Sequence, residues 1–152
     1  MPTGNVYLNA NLGWSDAEFE LTPGIIGPKA RHVFVSGHCH SLALAIHEAT
    51  GWDVIGDNWR PCPGHVAVRI PDDGSILDIQ GKHDPDTWEN HWGTITDLEL
   101  DVVYDAFDGD YREPDVDAAS YWVRPVIEAY APEYLYVLDS PFVVVGSLEV
   151  SA

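Results

Sequence analysis

Apolar positions recur through residues 39–49 with the spacing of a helix face. Cys39, Leu42, Ala43, Ile46 and Ala49 fall on one stripe. Ser36 is the expected cap ahead of this helix, and Gly51 supplies a left-handed residue at its end. Around it the period becomes that of strands. "NVYLNA" and "RHVFVSG", the latter ending at Gly37, read as strands before the helix and "WDVIG" as one after it, with "DNWRPCPG" as loop.

The sharpest local signal follows. "HVAVRI" and "SILDIQG" flank "PDDG", whose Pro, Asp and Gly suit a tight turn, so residues 65–81 are predicted to form a β-hairpin. If Ile70 pairs with Ser75, then His65, Ala67 and Arg69 share a face with Ile76, Asp78 and Gln80. His65 and Asp78 become diagonal neighbours, about 7–8 Å apart at the backbone. A slip of one residue would separate them to opposite faces.

In the second half "TDLE" (96–99) resembles a capping box, although "TITDLELDVVY" also reads as strand. From Pro114, a predicted first helical residue, Val116, Ala119, Val123, Val126, Ile127 and Tyr130 recur at helix spacing, and Pro125 is expected to kink or end that helix. "PFVVVGSLEV" reads as a final strand. The sum is an α+β fold with a mainly antiparallel sheet, in a single domain over residues 1–152.

Composition narrows the function. Hydrophobic residues make up 45% of the chain, which suits a folded globule, and no apolar run reaches bilayer length. The start of the chain lacks the basic and apolar regions of a secretory signal, so a cytoplasmic location is expected. Seven Lys and Arg against 25 Asp and Glu give a net charge of −18, which repels phosphate backbones and argues against direct nucleic-acid binding. Two cysteines without an export signal are expected to be free thiols.

Cys39 at a helix start is where a thiolate is stabilised, by unpaired backbone N–H groups and the positive end of the helix dipole. A histidine on a neighbouring strand can exchange the proton, and a carboxylate on the other ring nitrogen fixes the tautomer. Cys39, His65 and Asp78 occur in that order on helix, strand and strand. "GHCHSLALAIHEATGW" followed by "HVAVRIPDDGSILDIQG" resembles the core of the transglutaminase-like branch of papain-like cysteine enzymes, over residues 37–81. Arylamine N-acetyltransferases share the same order. The resemblance implies a papain-like fold, Cys39 as nucleophile, His65 as general base and acid, and Asp78 as orienting residue. It also implies acyl transfer without a cofactor or metal, on a protein, peptide or small amide. Papain's oxyanion Gln has no counterpart in "HVFVSGH". His40, Trp59 and Gln80 are therefore the side chains considered for the oxyanion or substrate. Small proteins of this look also occur in actinobacteria and their phages, so a virion is a second expected location.

Each residue also has a plainer reading: Cys39 as a small buried residue, His65 as a strand-end histidine, Asp78 as an edge carboxylate. Two other functions compete. One is zinc binding by His38, Cys39, His40, Cys62 and His65, since "CPGH" has ligand spacing. The other is a non-catalytic acidic binding or structural protein, either a nucleic-acid mimic or a virion component. His47 is expected to face solvent, and His32, His83 and His91 have no partner evident from the sequence. "DAFDGDYRE" lacks the ordered spacing of a calcium loop and is expected to be a solvated acidic face.

Overall fold

The structure, a computed structural model, describes residues 4–59, 63–107 and 113–139. The chain opens with a two-stranded antiparallel hairpin, β1 (Val6–Asn11) and β2 (Asp16–Leu21). Leu8, Ala10 and Leu21 turn their side chains into the main core.

Residues 31–36, expected as a strand, are instead the body of helix α1 (Pro28–Ser36). Pro28 has the fixed φ and missing N–H that suit a first helical turn. Ala30, Val33 and Phe34 then give a buried i, i+3, i+4 face. The two valines imitate a strand locally, but burial of this face decides the outcome. Ser36 is therefore the last residue of α1 and does not cap the next helix.

That helix, α2 (Cys39–Thr50), has His38 at its N-cap with no side-chain capping bond, and Gly51 at its C-cap with φ +79°. The expected stripe is buried at Cys39, Leu42, Ala43 and Ile46, but His40, Ser41, Leu44 and Ala45 are buried too. A helix buried on every side through residues 39–46 is a central element rather than a surface one. His47, expected to face solvent, is half-buried and bonds the Trp52 carbonyl through Nδ1 at 2.7 Å.

The main sheet is antiparallel throughout, in the order β6-β5-β4-β3-β7. Its strands are β3 (Asp53–Gly56), β4 (Val66–Arg69), β5 (Ile76–Asp78), β6 (Gly81–His83) and β7 (Thr96–Asp97). One face, with Val54, Val66, Val68 and Leu77, joins the main core with α2. The other face, with Ile55, Ala67 and Ile76, packs on Trp88 and Trp92 of α3 (Pro85–Trp92). The architecture is α+β with helices on both faces of an antiparallel sheet.

Two further expectations change. The stretch 96–99 is no capping box: Thr96 and Asp97 pair with Gly56 and Ile55, and α4 (Leu100–Ala106) begins after Glu99. Pro114 lies outside the helix it was expected to start, because the Asp115 side chain accepts the Ala118 N–H and caps α5 (Val116–Ser120). The apolar series then divides, and α6 (Val123–Tyr130) carries Pro125 in its first turn. A proline crowds the carbonyl four residues earlier, here Tyr121, which is where the helical run breaks. The final strand expected in 141–150 lies outside the described residues. Among the described residues, no helix is long and apolar enough to cross a membrane.

Candidate active site

The hairpin register places two of the site's side chains. Ile70 N–H donates to the Ser75 carbonyl at 2.8 Å, Arg69 lies opposite Ile76, and Val68 lies opposite Leu77. Extended by one residue, this register sets Asp78 opposite Ala67 and diagonal to His65. The diagonal is closed by a hydrogen bond of 2.9 Å from His65 Nε2 to Asp78 Oδ2. Both groups are withdrawn from water, His65 at 0% and Asp78 at 3% exposure.

The third member arrives from the opposite face of the sheet. Gly37 packs so closely on β1 that a Cβ there would lie 2.5 Å from the Asn9 carbonyl oxygen and 2.9 Å from Ala10 Cα. This close approach fixes where the chain turns from α1 into α2, and so where Cys39, the first residue of α2, enters. Two residues on, Ser41 ties the same turn to its surroundings. Its hydroxyl bonds His38 Nδ1 at 2.7 Å and accepts the Asp115 N–H at 3.0 Å.

His65 sits one residue before β4, at the rim of the sheet, between the two layers. On the α3 side its ring stacks on Trp92, with centroids 4.2 Å apart and planes 19° apart. On the α2 side it interacts with the Cys39 sulfur. Nε2 is committed to Asp78 and Nδ1 has no hydrogen-bond partner, so Nδ1 is the nitrogen left for the thiol.

Electrostatics follow from these contacts. Burial alone would raise the Cys39 thiol, but the imidazoles of His40 and His65 beside it, with their charges, outweigh burial and bring the thiol from 9.0 down to about 5. Burial alone would lower His65. The Asp78 bond, then the neighbouring Cys39 and its charge, lift it instead from 6.5 to about 10. Asp78, opposed by burial, is held well below the usual carboxylate range by hydrogen bonds from His65 and His83 and by their charges. Around neutral pH the arrangement is thiolate, imidazolium and carboxylate.

Access to the sulfur is through a cleft of about 260 Å³. The turn at Ser36 and Gly37 forms one wall, Pro63 and Gly64 another, and Trp59 and Phe107 the rim. A second cleft of about 330 Å³ continues from it past Trp59 and Pro63, toward Leu98, Val102 and Asp105. The wall at 63–64 is anchored by Asp57, a residue the sequence analysis passed over. Its buried carboxylate accepts the N–H groups of Trp59 at 2.9 Å, Gly64 at 3.0 Å and His65 at 3.0 Å.

The remaining candidates separate clearly. His40 is fully buried, lines the cleft and stacks on Phe107 with centroids 3.7 Å apart. Trp59 is largely exposed at the rim, as a substrate wall would be. Gln80 is solvent-exposed in the turn after β5 and lines no part of this cleft; only its backbone matters here, donating to Asp78 Oδ1 at 2.9 Å. His83 does have a partner, Asp78 Oδ1 at 2.9 Å, and His32 Nε2 bonds the Asn11 carbonyl at 2.7 Å.

For the zinc alternative, Cys62 lies outside the described residues. Among those described, no three His, Cys, Asp or Glu gather as a metal site. His65 Nε2 is held by Asp78 and His38 Nδ1 by Ser41, which leaves these nitrogens engaged elsewhere.

No family model, curated protein or solved structure matches the chain.

Proposed function

We propose that the protein is a cysteine-dependent acyl-transfer enzyme with the papain-like architecture of the transglutaminase-like type, acting on an amide or related acyl donor. The observation that carries this reading is the His65–Asp78 hydrogen bond at 2.9 Å, on an imidazole whose other nitrogen has no hydrogen-bond partner and which is coupled electrostatically to a thiol at the first turn of a helix. Any one of these residues has a structural use. A buried ionised carboxylate spent on orienting an imidazole beside a depressed thiol is costly for stability alone.

In the first step the Cys39 thiolate attacks the carbonyl carbon of the donor, forming a C–S bond and moving an electron pair onto the oxygen. The Cys39 backbone N–H at the helix start and the His40 imidazole, which lines the cleft, are the donors we assign to that oxyanion. Collapse restores the carbonyl and breaks the bond to the leaving group, which takes the proton from His65 Nδ1. In the second step His65 accepts a proton from water or an amine as it attacks the thioester, and Cys39 departs as thiolate. Asp78 holds the ring and its charge throughout. Water as acceptor gives hydrolysis or deamidation; an amine gives transfer.

An acyl-type, thiol-directed probe tests the reading. Cys39 is expected to be acylated in preference to Cys62, and His65→Ala is expected to slow that labelling by about 100-fold, the usual worth of general base catalysis. Equal, slow labelling of both cysteines, unchanged by His65→Ala, would favour the non-catalytic acidic protein.

A further inference from the structure

The orienting carboxylate serves two histidines. Asp78 Oδ2 accepts from His65 Nε2 at 2.9 Å, while Oδ1 accepts from His83 Nε2 at 2.9 Å and from the Gln80 N–H at 2.9 Å. We propose that His83 is a positioning residue for the catalytic centre, tethering the far oxygen of Asp78 so that the near one stays on His65. This rests on the triad reading above and adds a fourth side chain to it.

The sheet register builds this arrangement. Asp78 lies opposite Gly81 on β6, and Ile76 lies opposite His83, so His83 is diagonal to Asp78 across one strand pair as His65 is across the other. Strand β5 thus presents its carboxylate to an imidazole from each side. Gly81, at φ +144°, leaves the position directly opposite Asp78 without a side chain, and a Cβ built there would lie 3.9 Å from His83 Cε1. A Cβ at 81 would sit in ordinary contact with the His83 ring, which lies beside the carboxylate.

A tether has a physical purpose here. The last torsion of an aspartate is broad, so a single hydrogen bond to His65 would leave the carboxylate free to rotate. Two donors on Oδ1 fix that rotation. The other charges near His83 are occupied: Lys82 on its own strand pairs with Asp73 and Glu133, and Asp84 caps α3 through the Asp86 N–H. Asp78 is 3% exposed whereas His83 is 24% exposed, so the tether also links a buried charge to solvent.

The test is the pH profile of iodoacetamide alkylation at Cys39, located by peptide mass. Two inflections are expected in the parent protein, the lower where the thiolate forms and the upper where His65 loses its proton. His83→Ala is expected to move the upper inflection down by about one unit, because a carboxylate whose Oδ1 keeps only the Gln80 N–H is held less firmly and supports the imidazolium less well. His83→Gln, which keeps an N–H donor of similar reach, is expected to restore it. An upper inflection that His83→Ala leaves in place or raises overturns the tether, as does a full downward shift shared by His83→Gln. A parent profile with one inflection near the ordinary thiol value, indifferent to His65→Ala, would instead overturn the triad on which the tether rests.

Discussion

His65 lies flat against Trp92, imidazole on indole, with centroids 4.2 Å apart and planes 19° apart. The indole does two things for a protonated ring. It excludes water from the His65–Asp78 bond, and it offers the negative face of its π-system to the imidazolium, an attraction of about 0.5–2 kcal/mol. Trp92→Leu keeps an apolar cover and removes the π-face. The His65 titration is expected to fall by about half to one unit, read as the upper inflection of Cys39 alkylation, with Trp92→Phe between the two. A titration unmoved by leucine would mean that the indole only fills space.

The thiol and imidazole shifts together set a stability profile. Unfolded, the thiol titrates near 9.0 and the imidazole near 6.5; folded, Cys39 titrates near 5 and His65 near 10. From 6.5 to 9.0 each state of the chain holds one of the two protons, so this pair contributes no slope. Below 6.5 the unfolded chain binds more protons and stability is lost as pH falls toward 5; above 9.0 the folded chain binds more and stability is lost as pH rises toward 10. Cys39→Ala removes one arm of this balance. His65 stays raised through Asp78, though less far without Cys39, so the variant's melting temperature is expected to decline from pH 7 toward 9 where the parent's stays level. Parallel profiles for the two proteins would rule out a thiolate–imidazolium ground state.

Asp57 is the anchor on which the cleft wall depends. Oδ1 accepts from the Trp59 and Gly64 N–H groups and Oδ2 from that of His65. Asp57→Asn turns one oxygen into a donor facing an N–H. A loss of about 2–4 kcal/mol is expected from the urea midpoint, since charged hydrogen bonds are replaced by an unsatisfied buried pair. The same substitution is expected to widen access to Cys39, so that a bulky maleimide gains on iodoacetamide. A stability change under about 0.5 kcal/mol would show that the loop is held by other contacts.

How much of this was legible in the chain depends on whether the signal was local. The "PDDG" turn fixed the β4–β5 register, and with it the diagonal of His65 and Asp78, because a tight turn leaves few ways to pair its flanking strands. The α2 stripe and Gly51 were legible for the same reason. His83 was not, because its role depends on a second turn at Ile79 and Gln80 that shortens β5 and starts β6. A clue did stand in "DIQGKH", a glycine two residues before a histidine and three after an aspartate. Helix α3 went unseen although Asp84, Pro85 and Gly93 mark its ends, since only Trp88 and Trp92 signal its buried side. Residues 31–36 misled because Val33 and Val35 favour strands in isolation, while the contact that made them helical lies on β1 and the main core. Asp57 was invisible, because its partners among the described residues are backbone groups.

Two glycines flanking α2 separate conformational need from steric need. Gly51 ends the helix at φ +79° with no atom within 4 Å of a built Cβ, so Gly51→Ala meets only the left-handed backbone cost of about 1 kcal/mol. Gly37 has φ −157°, which any residue adopts, but its Cβ would meet the backbone of Asn9 at 2.5 Å and of Ala10 at 2.9 Å. Backbone cannot rotate away as a side chain does, so α1, α2 or the β1–β2 hairpin must move. Gly37→Ala is expected to cost about 1–3 kcal/mol, as overpacking does, and to shift the start of α2. Because that start carries Cys39, the two variants differ in chemistry as well as stability. Gly51→Ala is expected to leave the Cys39 alkylation profile intact, while Gly37→Ala raises its lower inflection as the sulfur leaves His65. Equal profiles in two folded variants would show that the β1 contact supports the fold without setting the nucleophile.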